Sequence, residues 1–193
     1  MIYMIRHGQT EHNRHQLLQG RSDAPLNATG MTQAAAVAEK FASARIQFDL
    51  VYSSPLRRAI QAAEIIAPGK TVHVDPRLTE MDYGPYEGMD LNAPSPEVTA
   101  FFRDFVHTPA PEGMEQLSSV VARTGAFLED LCRTDRTILI STHAIALKGL
   151  LEYLSPDSRG SYWSRHILNC DVFVTQYRHC TFTVPVPLTF PGL

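Results

Sequence analysis

Arg6, His7 and Gly8 close a short apolar run at the start of a 193-residue chain, and together they are suited to meet an anion. Residues 2–5 read as a buried strand. In open α/β sheets, ligands bind beyond the carboxyl ends of the strands. Glycine lets backbone approach a ligand closely, and arginine offers a planar fork of donors that fits phosphate oxygens. A histidine between them is placed to attack or to protonate what the arginine holds. Three further segments put charged or titratable side chains just past a strand. Ser53-Ser54-Pro55-Leu56-Arg57-Arg58-Ala59 opens a helix, with Ser54 as the expected N-cap and Pro55 as the first helical residue. Two arginines in a first helical turn oppose the positive partial charge already there, and a bound anion removes that conflict. Consecutive helical residues point about 100° apart, so only one of the pair can face a given site. Ser141-Thr142-His143 opens on the same sheet edge as His7. Glu80, in Leu78-Thr79-Glu80-Met81-Asp82-Tyr83-Gly84, follows another strand. Singly these are weak signals, because an acidic loop residue or an arginine is ordinarily just solvated. The combination carries the argument.

The elements that must position these residues alternate along the chain. Strands are expected over residues 2–6, 50–53, 71–74, 137–141 and 172–178. An edge strand over 181–184 is stopped by Pro185 and Pro187. Met31, Ala34, Ala38 and Phe41 fit one helix face. Leu117, Val120, Val121, Thr124, Leu128 and Leu131 fit a second, and Leu147, Leu150, Leu151 and Leu154 a third. Alternating strands and helices predict a three-layer α/β/α sandwich with a mostly parallel central sheet. Residues 85–115 are proline-rich and less periodic around a short helix near 97–106. They read either as an insertion that forms a lid over the sheet or as an ordinary surface connection.

The composition fits one domain over residues 1–193, with 44% hydrophobic residues and roughly 70% of the unfolded surface buried at this size. A net charge of −3 gives no footprint for nucleic acid or a membrane surface, and no apolar run approaches the roughly 20 residues of a membrane span. The N-terminus carries no signal-peptide pattern. Cys132, Cys170 and Cys180 are odd in number and scattered, which suits reduced thiols in a cytoplasmic protein. His7, His12 and His143 fit no common zinc spacing, and the nearby arginines would repel a cation. Cys170, His179 and Cys180 lack standard spacing too. Neither a metal nor a cofactor is expected. His12, His15, His107, His166 and His179 have no matched partners and read as surface or core residues.

In order along the chain, these motifs resemble those of the histidine phosphatase superfamily, also called the phosphoglycerate mutase-like family. Arg6-His7-Gly8-Gln9-Thr10-Glu11-His12-Asn13 resembles its opening R-H-G-[EQ]-[ST]-x-x-N. Gln19-Gly20 and Asp23-x-Pro25-Leu26 match the segment that follows, and Thr29-Gly30-x-x-Gln33-Ala34 the start of its first helix. Ser53-Ser54-Pro55-Leu56-x-Arg58-Ala59 matches the second arginine motif, Leu78-x-Glu80 with Tyr83-Gly84-x-x-Glu87-Gly88 the acid loop, and Ser141-Thr142-His143 the second histidine. The resemblance covers nearly the whole chain. It implies that His7 is the nucleophile and takes the phosphoryl group as a phosphohistidine. Arg6, Arg58 and His143 would clamp the phosphate oxygens with help from Asn13. Glu80 would be the acid toward the leaving oxygen and then the base for water. Gln19, Gly20, Tyr83 and the Ala144 amide are carried over as substrate contacts, and the motif selects Arg58 over Arg57.

Physical chemistry supports the scheme. A phosphoryl transition state spreads charge over its oxygens, so prearranged positive donors are the main need. Flanking arginines should push the His7 pKa down, and a bound phosphate should push that of Glu80 up. The chain departs from the family in two places. Pro111-Glu112-Gly113-Met114-Glu115 replaces the commoner P-G-G-E-S ahead of Arg123, and Ala144-Ile145-Ala146 stands where many relatives have glycines.

Cofactor-dependent mutases of the family carry an insertion rich in basic residues between the acid loop and the second histidine. Residues 81–142 are short for that class and offer mainly Arg103, with Arg123 and Arg133 on the later helix. The expected activity is therefore hydrolysis of a small phosphorylated metabolite by a monomer or homodimer. The alternatives are a phosphoglycerate mutase, an alpha-ribazole phosphatase as the specific phosphatase, and a non-enzymatic phospholigand sensor. Such a sensor should have lost His7 or Glu80.

Overall fold

The first strand shows how the layers arise, because its alternate side chains enter different cores. The computed structural model describes residues 1–131, 135–178 and 181–189; Cys132, Arg133, His179 and Cys180 lie outside them. The elements in chain order are β1 (Ile2–Arg6), α1 (Glu11–Arg14), α2 (Ala28–Ser43), β2 (Leu50–Ser53), α3 (Arg57–Ile66), β3 (Val72–Val74), α4 (Pro96–Arg103), α5 (Leu117–Asp130), β4 (Ile138–Thr142), α6 (Ala144–Leu154), β5 (Val172–Thr175), β6 (Tyr177–Arg178), β7 (Thr181–Phe182) and β8 (Val186–Pro187). The main sheet has the order β3-β2-β4-β1-β5-β8. Its first four strands are mutually parallel, and β5 pairs antiparallel with both β1 and β8. Ile2, Met4, Ile138 and Ile140 join Phe127, Leu128, Leu147 and Leu151 in the core under α5 and α6. Tyr3, Ile5, Val51 and Leu139 join Val37, Phe41 and Ile66 under α2 and α3. The result is the expected α/β/α sandwich with a mostly parallel sheet. Strands covered on both faces read as continuous apolar runs, as Ile2–Ile5 and Ile138–Ile140 do.

Four details differ from the expectation. On α2 the buried stripe is Gly30, Ala34, Val37 and Phe41, while Met31 is exposed. At 100° per residue Met31 falls one step off that stripe. Helix α3 begins at Arg57, two residues after Pro55, and its N-cap Leu56 makes no side-chain bond. Ser54 is not the cap because its hydroxyl meets His143 Nε2 at 2.7 Å and also accepts the Leu56 N–H at 3.3 Å. The first helical amide, Arg57 N–H, donates instead to Asp23 Oδ1 at 2.6 Å, a cap supplied from a distant loop. The run 172–178 breaks after Thr175, whose hydroxyl donates to Thr183 O at 2.6 Å while Gln176 N–H donates to Thr183 Oγ1 at 3.0 Å. Residues 181–182 consequently pair with β6 in a separate ribbon. The edge of the main sheet is Val186–Pro187, since an edge position tolerates a proline that donates no N–H.

Within 85–115, the helix is confined to Pro96–Arg103 and buries Val98 and Phe101. These two pack with Met81, Tyr83, Ile145 and Trp163 in a third cluster.

The sheet's carboxyl edge is held in register across three exits. Arg6 pairs with Thr142 and Ser53 with Ser141. Past the strands, His7 N–H donates to Thr142 O at 2.9 Å and Ser54 N–H to Ser141 O at 3.0 Å. After β1 the chain turns to α2 on one face, and after adjacent β4 it turns to α6 on the other. That reversal opens a crevice beyond the strand ends, with His7 on one side and His143 on the other.

The loop after His7 is seated on the start of α2. Gln9 N–H donates to Gln33 Oε1 at 2.8 Å, Asn27 Nδ2 to Gln9 Oε1 at 3.0 Å, and Asn27 Oδ1 accepts the Gly30 N–H at 2.8 Å. Gly8 and Gly30 touch backbone to backbone there: a Cβ on Gly30 would stand 2.1 Å from Gln9 O. Gly30→Ala should therefore push the His7 loop off α2 and lower the unfolding free energy by roughly 1–3 kcal/mol, as overpacking does. Urea denaturation measures this, and unchanged stability would show that the loop yields freely.

Candidate active site

The crevice gathers nearly every residue singled out in the sequence. Arg6, His7, Asn13, Gln19, Glu80, Tyr83 and Ala144 line one cavity of about 360 Å³. Arg58 and His143 stand behind its His7 wall, with the two imidazole rings 5.1 Å apart. A larger recess of about 670 Å³ lies between the ends of α2 and α3, lined by such residues as Phe41, Ile66 and Pro68. The constellation lies in the smaller cavity, where the strand ends converge.

His7 is buried, and its protonation state is legible from its partners. Nδ1 lies 2.6 Å from Gly8 O; a carbonyl only accepts, so Nδ1 carries the proton. Nε2 accepts from Arg58 Nε at 3.2 Å and therefore bears the lone pair. Burial pushes the His7 pKa well below the ordinary 6.5, and Arg58 and then Arg6 push it further the same way. The arginine effect expected from sequence is present, but burial is the larger cause. His143 is likewise held well below 6.5, by burial first and then by Arg58.

Arg58 is wholly buried while Arg57 is exposed, so one arginine of the pair turns inward and it is the one the motif selects. Besides His7, Arg58 donates to Ser22 O and Gly20 O, each at 2.6 Å. Burial lowers its pKa to about 10, which leaves it cationic near neutrality. The loop that supplies those carbonyls is held in turn by Glu87, whose carboxylate accepts the N–H groups of Gly20, Arg21 and Ser22 at 2.8, 3.3 and 3.2 Å. Gly20 thus positions Arg58, its N–H and C=O both engaged. Arg6 donates from Nη1 to Ile167 O at 2.6 Å.

Glu80 is buried at the start of α6, whose N-cap is His143. Its Oε1 accepts the N–H groups of Met81 and Ala146, both at 2.9 Å, and Oε2 accepts that of Ile145 at 3.1 Å. An oxygen with two lone pairs is filled by two donors, so Oε2 is the atom free to carry or take a proton. The chain on either side is braced. Arg123 Nη1 donates to Arg77 O at 2.7 Å and Thr79 O at 2.6 Å, Arg123 Nε and Nη2 hold Glu115 at 2.7 and 3.0 Å, and Glu115 Oε2 accepts the Asp82 N–H at 3.2 Å. That is the place of the departed polar motif in this chain.

The amide oxygen of Asn13 accepts Thr10 N–H at 3.2 Å and Asn169 Nδ2 at 3.3 Å, which leaves its NH₂ group as the donor for the cavity. Gln19 Oε1 accepts from Thr10 Oγ1 at 2.6 Å. Three buried polar atoms of this group, Arg6 Nε, Gln19 Nε2 and His143 Nδ1, have no protein partner. Arg6 Nε and Gln19 Nε2 are donors, and acceptor oxygens of a molecule in the cavity would satisfy them.

Sequence reasoning missed several residues here. Ser54 serves as the partner of His143, Asn169 orients Asn13, and Lys148, Phe102 and Phe105 line the cavity. Lys148 had a signal, as the one charged residue among the first eight of α6. Asn169 had none, since it reaches the site only through the return of the chain to β5. Arg103 is exposed on α4, and Arg123 faces Glu115 and carbonyls. Among the described residues no three His, Cys, Asp or Glu side chains cluster as a metal-ligand set.

Comparison with known proteins agrees with this geometry. Residues 2–186 match the family model of the histidine phosphatase superfamily, branch 1. The "Probable phosphoglycerate mutase GpmB" of Proteus mirabilis is 34% identical over 187 residues, spanning 92% of this chain and 85% of that one. A crystal structure of a phosphoserine phosphatase variant from Entamoeba histolytica in complex with phosphoserine superposes with a TM-score of 0.82 at 27% identity, covering 99% of this chain and 96% of that one. YhfR of Bacillus stearothermophilus gives a TM-score of 0.84 at 26% identity, covering 95% and 94%. With its motifs in order, its strand exits in register and this match from end to end, the chain belongs to the histidine phosphatase superfamily, branch 1.

Proposed function

We propose that the protein is a phosphomonoesterase that hydrolyses a small phosphorylated metabolite through a phosphohistidine on His7. The observation that carries this reading is the neutral His7 imidazole, its Nε2 lone pair beside Arg58, among buried donors of Arg6 and Gln19 that no protein acceptor satisfies. In the first step the Nε2 lone pair leaves its hydrogen bond with Arg58 Nε and attacks phosphorus, the bond from phosphorus to the ester oxygen breaks, and Glu80 passes its proton to the departing alcohol. In the second step Glu80 takes a proton from water, the hydroxide oxygen attacks phosphorus, and the N–P bond breaks to leave His7 and inorganic phosphate. Arg6, Arg58, His143 and the Asn13 amide hold the equatorial oxygens, where fixed donors act most strongly on the transition state. Tyr83 and the Ala144 amide flank the leaving group. Residues 85–115 roof the pocket, a placement supported by Phe102 and Phe105 in its wall.

The runner-up differs only in the fate of the phosphohistidine. A mutase returns the phosphoryl group to a second hydroxyl of the bound acid, and a relative named as a mutase keeps that reading in view. Among the described residues no helix is long and apolar enough to cross a membrane. We place the reaction in the cytoplasm, which the free thiol of Cys170 supports.

A phosphate-release assay over 3-phosphoglycerate, phosphoserine, alpha-ribazole phosphate and fructose bisphosphates tests the proposal. Release from one compound well above the rest supports it, whereas conversion of 3-phosphoglycerate to its 2-isomer without release would make the protein a mutase. His7→Ala should abolish turnover and the acid-labile phosphoprotein formed during it. Glu80→Gln should lower kcat by roughly 10²–10⁴, the range for a lost acid–base group. The pH dependence follows from the two histidines. Both stay neutral in the folded protein below 6.5, while in the unfolded chain they take up protons there. Stability from this source is complete above about pH 6.5 and is lost as pH falls toward the folded values. The urea midpoint should drop between about pH 7 and pH 5, and less so in a His143→Gln variant; equal drops would place the effect elsewhere.

A further inference from the structure

We propose that Lys148 is the specificity residue of this site and pairs with an acid group that the substrate carries in addition to its phosphate, an inference that rests on the phosphatase reading above. Lys148 lies on α6, five residues after His143, and is only 8% exposed. It lines the same cavity as Arg6, His7 and Glu80. Its ammonium donates to Trp163 O at 2.6 Å and sits 5.0 Å over the Phe105 ring. An ammonium has three donors, the carbonyl takes one, and among the described residues no carboxylate forms an ion pair with it. Lysines are almost never buried unless paired, because an uncompensated buried charge is costly. Consistent with that cost, burial pushes the Lys148 pKa down to about 8, against a smaller opposing pull from Glu80.

The surroundings favour an anion over a neutral polar group. A neighbouring recess of about 320 Å³ shares Lys148 and His166 with the catalytic cavity and adds Arg103 and Arg165. Its one carboxylate is Asp104, 3.0 Å from His107. Lys148, Arg103 and Arg165 outnumber that single negative charge at this end of the cavity. The lysine, Arg6, His7 and Glu80 wall a single cavity of about 360 Å³, and Arg6 and Glu80 are close enough for their charges to act on the ammonium. Phosphate and acid must then sit on a short carbon skeleton, as in a phosphorylated hydroxy or amino acid of few carbons.

The test compares kcat/KM for 3-phosphoglycerate with that for glycerol 3-phosphate, in which a hydroxymethyl group replaces the carboxylate. The wild type should favour the acid by about ten- to hundredfold, the factor for a charge-assisted contact. Lys148→Met should bring the ratio close to one, and Lys148→Arg should keep most of it. Lys148→Gln stands in if the methionine variant does not fold. A lysine that merely ties α6 to Trp163 would leave the ratio unchanged in every folded variant. That result, or a wild-type ratio near one, overturns the proposal. p-Nitrophenyl phosphate separates the two failures: its hydrolysis without any acid preference removes only the role of Lys148, whereas no phosphate release from any of the three esters removes the phosphatase reading itself.

Discussion

The wholly buried guanidinium of Arg58 is the constraint around which the site is built. Burying a cation is costly unless its donors are met, and the chain meets three of the five N–H groups with two carbonyls and the lone pair of His7. Those carbonyls are in place because the Glu87 carboxylate gathers the three amides of the same loop. A carboxylate on one loop thus fixes a second loop, the second loop fixes the arginine, and the arginine faces the nucleophile. The sheet contributes by holding β1, β4 and β2 in register, so that His7, His143 and Ser54 leave their strands at one level.

Glu80 is held on the other side of the cavity by different means. The N-terminal amides of α6 take its oxygens, and the Arg123–Glu115 pair brackets the loop that carries it. Acid and nucleophile therefore answer to separate frameworks, one based on the turn after β4 and α5, the other on α2 and the loop after α1. Their relative position depends on the core between α5, α6 and the sheet, where Leu147, Leu150 and Leu151 are wholly buried. Positioning of this kind is what phosphoryl transfer mainly demands of a protein.

Where sequence reasoning succeeded, the signal was local or periodic. The bounds 2–6 and 50–53 agree with the structure because each strand is an apolar run ended by a polar residue, Arg6 or Ser53. The leucine face of α6 followed from its period, and the inward turn of one arginine at 57–58 from helix geometry. Where it failed, a distant partner decided the outcome. Ser54 would cap α3 but for His143, and Asp23 caps that helix across thirty-odd positions of chain. Thr183 bends the last long strand, and Pro187 takes the edge position that residues 181–184 would have filled.

The amino-acid sequence by itself determined the kinds of chemistry available to this protein: a histidine at each of two strand exits, one inward arginine, an acid in a loop, and the layered fold that brings strand ends together. These depend on residue type and on periods of two and 3.6, which are local. Only the tertiary structure decided which nitrogen of His7 carries the lone pair, which oxygen of Glu80 stays open, and that Asn169 and Lys148 belong to the site. Each of those depends on hydrogen-bond partners or burial contributed by residues far along the chain. Such partners have no period to betray them, since they meet only when the sheet has closed and the loops have settled on it.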